Sequence, residues 1–113
     1  MSTLDNKTRL LHILNAASKA VKLVEYKSFQ ELEDDEVLTL ALIKLIEIVG
    51  EASSRLSKEF QAEHPEIPWS GIIGMRNRLV HAYFDINLKV IWQTTQEDLP
   101  TLIEQLKQLP EIQ

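Results

Sequence analysis

The sequence predicts an all-α, up-and-down helical bundle. Apolar residues recur at threes and fours along every long segment, and nowhere do they alternate with period two for long enough to make a strand. The size is equally plain: 113 residues, 44% of them apolar, make one domain with an ordinary core. Residues 1–113 are therefore expected to form a single bundle of four to five helices, without repeats or a low-complexity tail.

The first helix is expected from Asp5 to about Tyr26. Leu10, Leu14, Ala17, Val21 and Val24 form one seam toward the core, while Ser18, Lys19 and Lys22 fall off it into solvent. Thr3 or Asp5 is suited to cap its start. Ser28-Phe-Gln-Glu31 then has the form of a capping box opening one short turn. Glu33, Asp34 and Asp35 lead into the second long helix, where acids suit the dipole.

That second helix is expected from about Asp35 to Ala62 and is the most apolar segment. From Val37 to Val49 only Thr39, Lys44 and Glu47 are polar. This is more apolar surface than two flanking helices of a small chain readily cover, so part of it is expected to meet a second subunit. Lys44, Glu47, Glu51, Ser54, Arg55 and Lys58 fall at spacings of three and four, which reads as a solvated ion-pair ladder. Gly50 is more pointed, since a mid-helix glycine costs roughly 0.5–1 kcal/mol and often marks the close approach of another backbone.

His64-Pro-Glu-Ile-Pro-Trp69 is the one firm loop, punctuated by Pro65 and Pro68. A third helix is expected from Trp69 to Phe84. Asp85-Ile-Asn87 turns the chain into a last helical region with Leu88, Ile91, Trp92, Leu99, Leu102, Ile103, Leu106 and Leu109 inward. Pro100 falls inside it, to be absorbed by a kink or by two helices in series with Asp98 as cap.

The third helix holds the chemistry. Arg76, Asn77, Arg78, His81 and Tyr83 lie within eight residues, and no Asp or Glu occurs from Ile67 to Phe84. On a helical wheel Asn77 and His81 are neighbours on the polar arc. Arg76 projects into the apolar arc, roughly 140° around from His81. A guanidinium there must snorkel or pair with a carboxylate of the second helix. Taken singly, His81 reads as a solvated surface histidine and Tyr83 as core with its hydroxyl at the rim.

Net charge is −5, which argues against indiscriminate binding of polyanions. The charge is uneven: net +3 over residues 1–27, −7 over 28–66, +2 over 67–84 and −3 over 85–113. An anionic ligand should be drawn to the first and third helices. Cysteine is absent, excluding disulfides and thiolate metal sites and fitting a reducing cytoplasm. His12, His64 and His81 are too scattered for a local metal motif. Neither an 18-residue apolar run nor a basic-then-apolar leader occurs, so no membrane span or secretory signal is expected.

Arg76-Asn-Arg-Leu-Val-His81-Ala-Tyr83 resembles the Arg-x4-His-x-Tyr motif of HepT toxins, small helical proteins of the HEPN superfamily. The resemblance extends to Ile48-Val-Gly-Glu-Ala52, Ile67-Pro-Trp69, Ile72-Ile-Gly-Met-Arg-Asn77, Val90-Ile-Trp92 and Asp98-Leu-Pro100. The Arg-x4-His spacing alone is weak; joined to these blocks in register it is strong. It implies the toxin of a type VII HepT/MntA pair: a metal-independent, cofactor-free endoribonuclease, acting as a homodimer whose two motifs face one cleft. The RNA 2′-hydroxyl would attack, His81 would move a proton, and Arg76 would clamp the phosphate. Asn77 is available to orient the imidazole or donate to the phosphate; Glu51, if it approaches from the second helix, to position Arg76 or His81. Tyr83 is implied to accept AMP from the partner nucleotidyltransferase antitoxin, MntA. A second class remains open, a non-catalytic partner or nucleotide-binding subunit of a minimal nucleotidyltransferase, for which the acidic balance and the lack of a long basic track speak.

Overall fold

A computed structural model describes the backbone of residues 3–82 and 85–113, and the side chains of residues 5–80 and 85–113. Helix α1 (Thr3–Val24) places Leu10, Ile13, Ala16, Ala17, Ala20 and Val24 in the core. Its buried arc is wider than the expected seam, whose Leu14 and Val21 are half-buried; Ser18, Lys19 and Lys22 are exposed as expected. Asp5 sits in the first turn, where its charge suits the dipole, and the side chain of Thr3 lies outside the described residues. After a turn in which Tyr26 takes a left-handed φ of 65°, α2 (Phe29–Glu33) opens on the expected capping box. The Ser28 hydroxyl accepts from the Glu31 amide at 3.2 Å, and the Glu31 carboxylate accepts from the Ser28 amide at 3.1 Å.

Asp35 caps α3 (Glu36–Ser54), its carboxylate accepting from the Leu38 amide at 3.0 Å. Leu38, Leu42, Ile46 and Val49 face inward, and buried Thr39 and Ser53 return their hydroxyls to backbone carbonyls. The opposite face is open: Val37 is 78% exposed and Leu40 52%. The long second helix does not reach Ala62. It stops at Ser54, and a separate α4 (Lys58–Glu63) follows. The cause is Ser57, whose hydroxyl caps α4 through the Phe60 amide at 3.1 Å. Ser57 is held in turn by the buried Asn6 amide, which accepts from the Ser57 N–H and donates to its hydroxyl, both at 3.1 Å. This bond ties the start of α1 to the end of α3, so the two run antiparallel.

Trp69 fixes the loop by donating its indole N–H to the His64 carbonyl at 3.0 Å, while Ile67 is buried. Beyond the site segment, Asn87 caps α7 (Leu88–Gln93). A π-turn over Thr94–Asp98 then leads directly into α8 (Leu99–Lys107). This is how Pro100 is absorbed. Its ring cannot sit against a regular α turn, and the widened turn lets the Leu99 amide reach the Thr94 carbonyl five residues back. The Thr94 and Thr95 hydroxyls donate to the Val90 and Trp92 carbonyls at 2.8 and 2.7 Å. Asp98 makes no capping bond. Ile91, Leu99, Leu102, Leu106 and Leu109 are buried as expected, and Leu88, Trp92 and Ile103 partly so. The fold is all-α, with α1 packed between α3 and α8 and the site segment laid on the outer flank of α3.

Candidate active site

The site segment is built from pieces. Helix α5 (Trp69–Ile73) and helix α6 (Met75–Leu79) meet at Gly74. Helix α5 comes very close to α3 at Gly50. A Cβ placed there would lie 3.1 Å from the Ile73 carbonyl oxygen and 3.3 Å from that of Ile72. The mid-helix glycine thus marks a close backbone approach, as its position in the sequence suggested. That approach brings α6 and Arg76 against the outer face of α3.

Arg76 is half-exposed and finds a carboxylate of α3, with Nε 3.6 Å from Glu47. Of the two outcomes open to a guanidinium at this position, the chain takes pairing. Glu47 is shared: its other oxygen accepts from Lys44 at 3.2 Å. Glu51, the acid singled out from the sequence, instead accepts from Arg55 at 3.0 and 3.1 Å. The expected ladder along α3 is therefore present as Lys44–Glu47 and Glu51–Arg55. Glu47, Gly50, Glu51, Ser54, Ile73, Arg76 and Asn77 together line a depression of about 300 Å³. Asn77 is exposed at its rim. Arg78 turns away, donating to the Gly71 carbonyl at 3.2 Å.

The helix does not continue to Phe84. It ends at Leu79, and Val80–Ala82 form a short strand, β1, antiparallel to β2 (Asp85–Ile86). Val80 adopts φ −135°, ψ 112°, an extended conformation natural to a β-branched residue. The Leu79 carbonyl, which a longer helix would use internally, accepts instead from the Asn87 amide at 2.8 Å. His81 therefore does not share a helical face with Asn77. Val80 pairs with Ile86 and Ala82 with Asp85, which makes His81 the extra residue of a β-bulge. Its side chain lies outside the described residues, and so does Tyr83, with the AMP-acceptor role expected of it.

Sequence reasoning placed Glu47 in the ladder and missed its contact with Arg76. The signal was its place one turn before Gly50, the point of backbone approach. Among the described residues, no three His, Asp or Glu side chains cluster so as to hold a metal ion. No helix among them is long and apolar enough to cross a membrane.

Comparison with known proteins converges on one family. Residues 13–109 match the family model described as Ribonuclease HepT-like. The chain is 40% identical over 100 residues to a candidate RNase of Caldanaerobacter subterraneus subsp. tengcongensis, covering 88% of this chain and 89% of the relative. It is 38% identical over 93 residues to the probable ribonuclease HepT of Thermococcus cleftensis, covering 79% and 84%. A candidate RNase of Methanocaldococcus jannaschii is 31% identical over 107 residues, covering 95% and 98%. No solved structure gives a significant match. With the Arg-x4-His-x-Tyr segment lying inside the matched span, the chain belongs to the HepT-like ribonuclease family.

Proposed function

We propose that this chain is the toxin of a HepT/MntA-type toxin–antitoxin pair, a metal-independent endoribonuclease that works as a homodimer. The observation that carries it is Arg76 at an open depression with Asn77 on its rim, within a chain of the HepT-like family. The RNA 2′-hydroxyl attacks the adjacent phosphorus, and the 5′-oxygen of the next nucleotide leaves. His81 moves a proton in that exchange, as general acid or base. Arg76 offers two or more N–H donors to the phosphate oxygens as charge builds on them. Asn77 adds a neutral donor, and Glu51 on the opposite wall completes the polar lining. DNA lacks the nucleophile, so the activity is confined to RNA.

A homodimer supplies what one protomer does not. The exposed stripe of α3 runs from Val37 and Leu40 through Lys44, Glu47 and Glu51 to Arg55, apolar at one end and alternately charged at the other. Pairing through its apolar end covers Val37 and Leu40, leaves Lys44 to Arg55 open, and brings two Arg76–His81 sets toward one cleft. A nucleotidyltransferase antitoxin silences the protein by transferring AMP to Tyr83: the phenolic oxygen attacks the α-phosphorus of ATP, and pyrophosphate leaves. The added phosphate occupies the Arg76 fork and repels incoming RNA.

Expression of wild type, Arg76→Ala and His81→Ala tests the catalytic core, read as growth arrest and as RNA cleavage by purified protein with matched circular dichroism. Wild type alone should arrest growth and cut RNA. Equal behaviour of all three would leave the chain as a non-catalytic partner of a nucleotidyltransferase.

A further inference from the structure

A second depression lies on the other flank of α3, between it and α1. Its volume is about 400 Å³, and Arg9, His12, Lys44 and Arg55 contribute to its walls. Glu47 and Glu51 line it too, and the same two residues line the depression that holds Arg76 and Asn77. The crest of α3 is thus a ridge common to both.

The charges on the ridge answer one another. Lys44 bonds Glu47 at 3.2 Å, Arg55 bonds Glu51 at 3.0 Å, and Arg76 stands 3.6 Å from Glu47. Arg9 differs. Its Nε is buried and has no hydrogen-bond partner among the described residues. A guanidinium stays charged under all ordinary conditions, and a buried donor without an acceptor is costly. No ion pair among the described residues neutralises this guanidinium, which contributes to the groove wall and leaves its charge to an anion from outside. His12 stands one turn further along α1, on the same flank. The N-terminal stretch that carries both is the positive end of the sequence, net +3 over residues 1–27.

We propose that this groove is a subsite for the RNA backbone, in which Arg9, flanked by His12 and Arg55, takes a phosphate a few nucleotides from the one held by Arg76. The assignment rests on the ribonuclease function proposed above. A helix with its side chains is about 10–12 Å across, a span that a single strand covers within a few nucleotides. The ridge carboxylates repel the phosphates that pass over them, while the cations in the two depressions hold the strand on either side. A ligand must be extended and repeatedly anionic to use both, which favours RNA over a carboxylate of a partner protein.

The test is binding of a fluorescein-labelled single-stranded RNA, 2′-O-methylated throughout so that it cannot be cut, by fluorescence anisotropy across a salt series. Wild type, Arg9→Gln and Arg55→Gln are compared, with Lys107→Gln as a charge-matched control at an exposed position of α8. Arg55→Gln also guards against misfolding of Arg9→Gln, since Arg55 is exposed. The subsite requires at least fivefold weaker binding by Arg9→Gln or Arg55→Gln, and a fall of about 0.7 in the slope of log affinity against log salt. Lys107→Gln should stay within twofold of wild type. Three results would overturn it: unchanged affinity in both variants, equal loss in the control, or a loss that follows only a change in sedimentation, which would assign the groove to a protein partner. Wild type that cuts RNA while the variants bind normally removes this subsite alone; wild type that neither binds nor cuts RNA removes the ribonuclease proposal with it.

Discussion

Arg76 Nε lies 3.6 Å from a Glu47 carboxylate oxygen, joining the site segment to α3. Both side chains are about two-fifths exposed, so the pair adds less than about 1 kcal/mol to stability. Its value is orientation. Glu47→Gln should leave the urea midpoint nearly unchanged yet lower the RNA cleavage rate by up to about fivefold, the loss expected when orientation worth up to about 1 kcal/mol disappears at the transition state. Cleavage faster than wild type would mean that Glu47 restrains Arg76.

Gly50 should not tolerate even one methyl group. An alanine gains about 0.5–1 kcal/mol of helix propensity, but its Cβ would meet two backbone carbonyls at 3.1 and 3.3 Å. Backbone cannot rotate aside as a side chain does, and overpacking of this kind costs about 1–3 kcal/mol. Gly50→Ala should therefore be destabilised by about 1 kcal/mol net in urea unfolding. A more stable variant would show that α5 yields freely.

Asn6 and Ser57 act as one unit. Asn6→Ala strips the Ser57 amide of its acceptor in a mostly buried place, for about 1–3 kcal/mol. Ser57→Ala removes the α4 cap as well as the hydroxyl that Asn6 meets. The double variant should lose clearly less than the sum of the single losses, measured by denaturant unfolding. Strict additivity would mean that the two residues do not depend on each other.

Tyr83→Phe should remain toxic and resist rescue by the cognate antitoxin. Intact mass after incubation with antitoxin and ATP should show AMP additions on wild type only. Tyr26 makes this a stringent comparison, because it is 95% exposed and open to any transferase. Equal additions on Tyr83→Phe would point to another acceptor, with Tyr26 the remaining tyrosine.

The long helices, the capping box, the Gly50 contact and the inward face of the C-terminal region were legible because each rests on local rules of spacing, capping or steric size. The breaks were not. Ser57, which caps α4 and so separates it from the second long helix, has its amide held by Asn6, fifty-one residues away. The π-turn before Pro100 depends on two threonine hydroxyls finding particular carbonyls. Helical phase placed Arg76 toward its neighbours correctly. It failed at Val80, where the Leu79 carbonyl is captured by Asn87, and no wheel contains that competitor. The motif residues were named from their order along the chain, which survives a change of secondary structure; their expected mutual geometry did not.

The bulge sets the backbone at His81 on a strand ladder rather than on a helix. On a helix, its direction would be locked by turns above and below. Here it hangs on a ladder of two pairs, Val80 with Ile86 and Ala82 with Asp85. Slipping such a ladder by one residue exchanges its two faces. The backbone at His81 is thus registered by the stretch that follows it, so a change at Asp85 to Asn87 reaches the motif through the ladder.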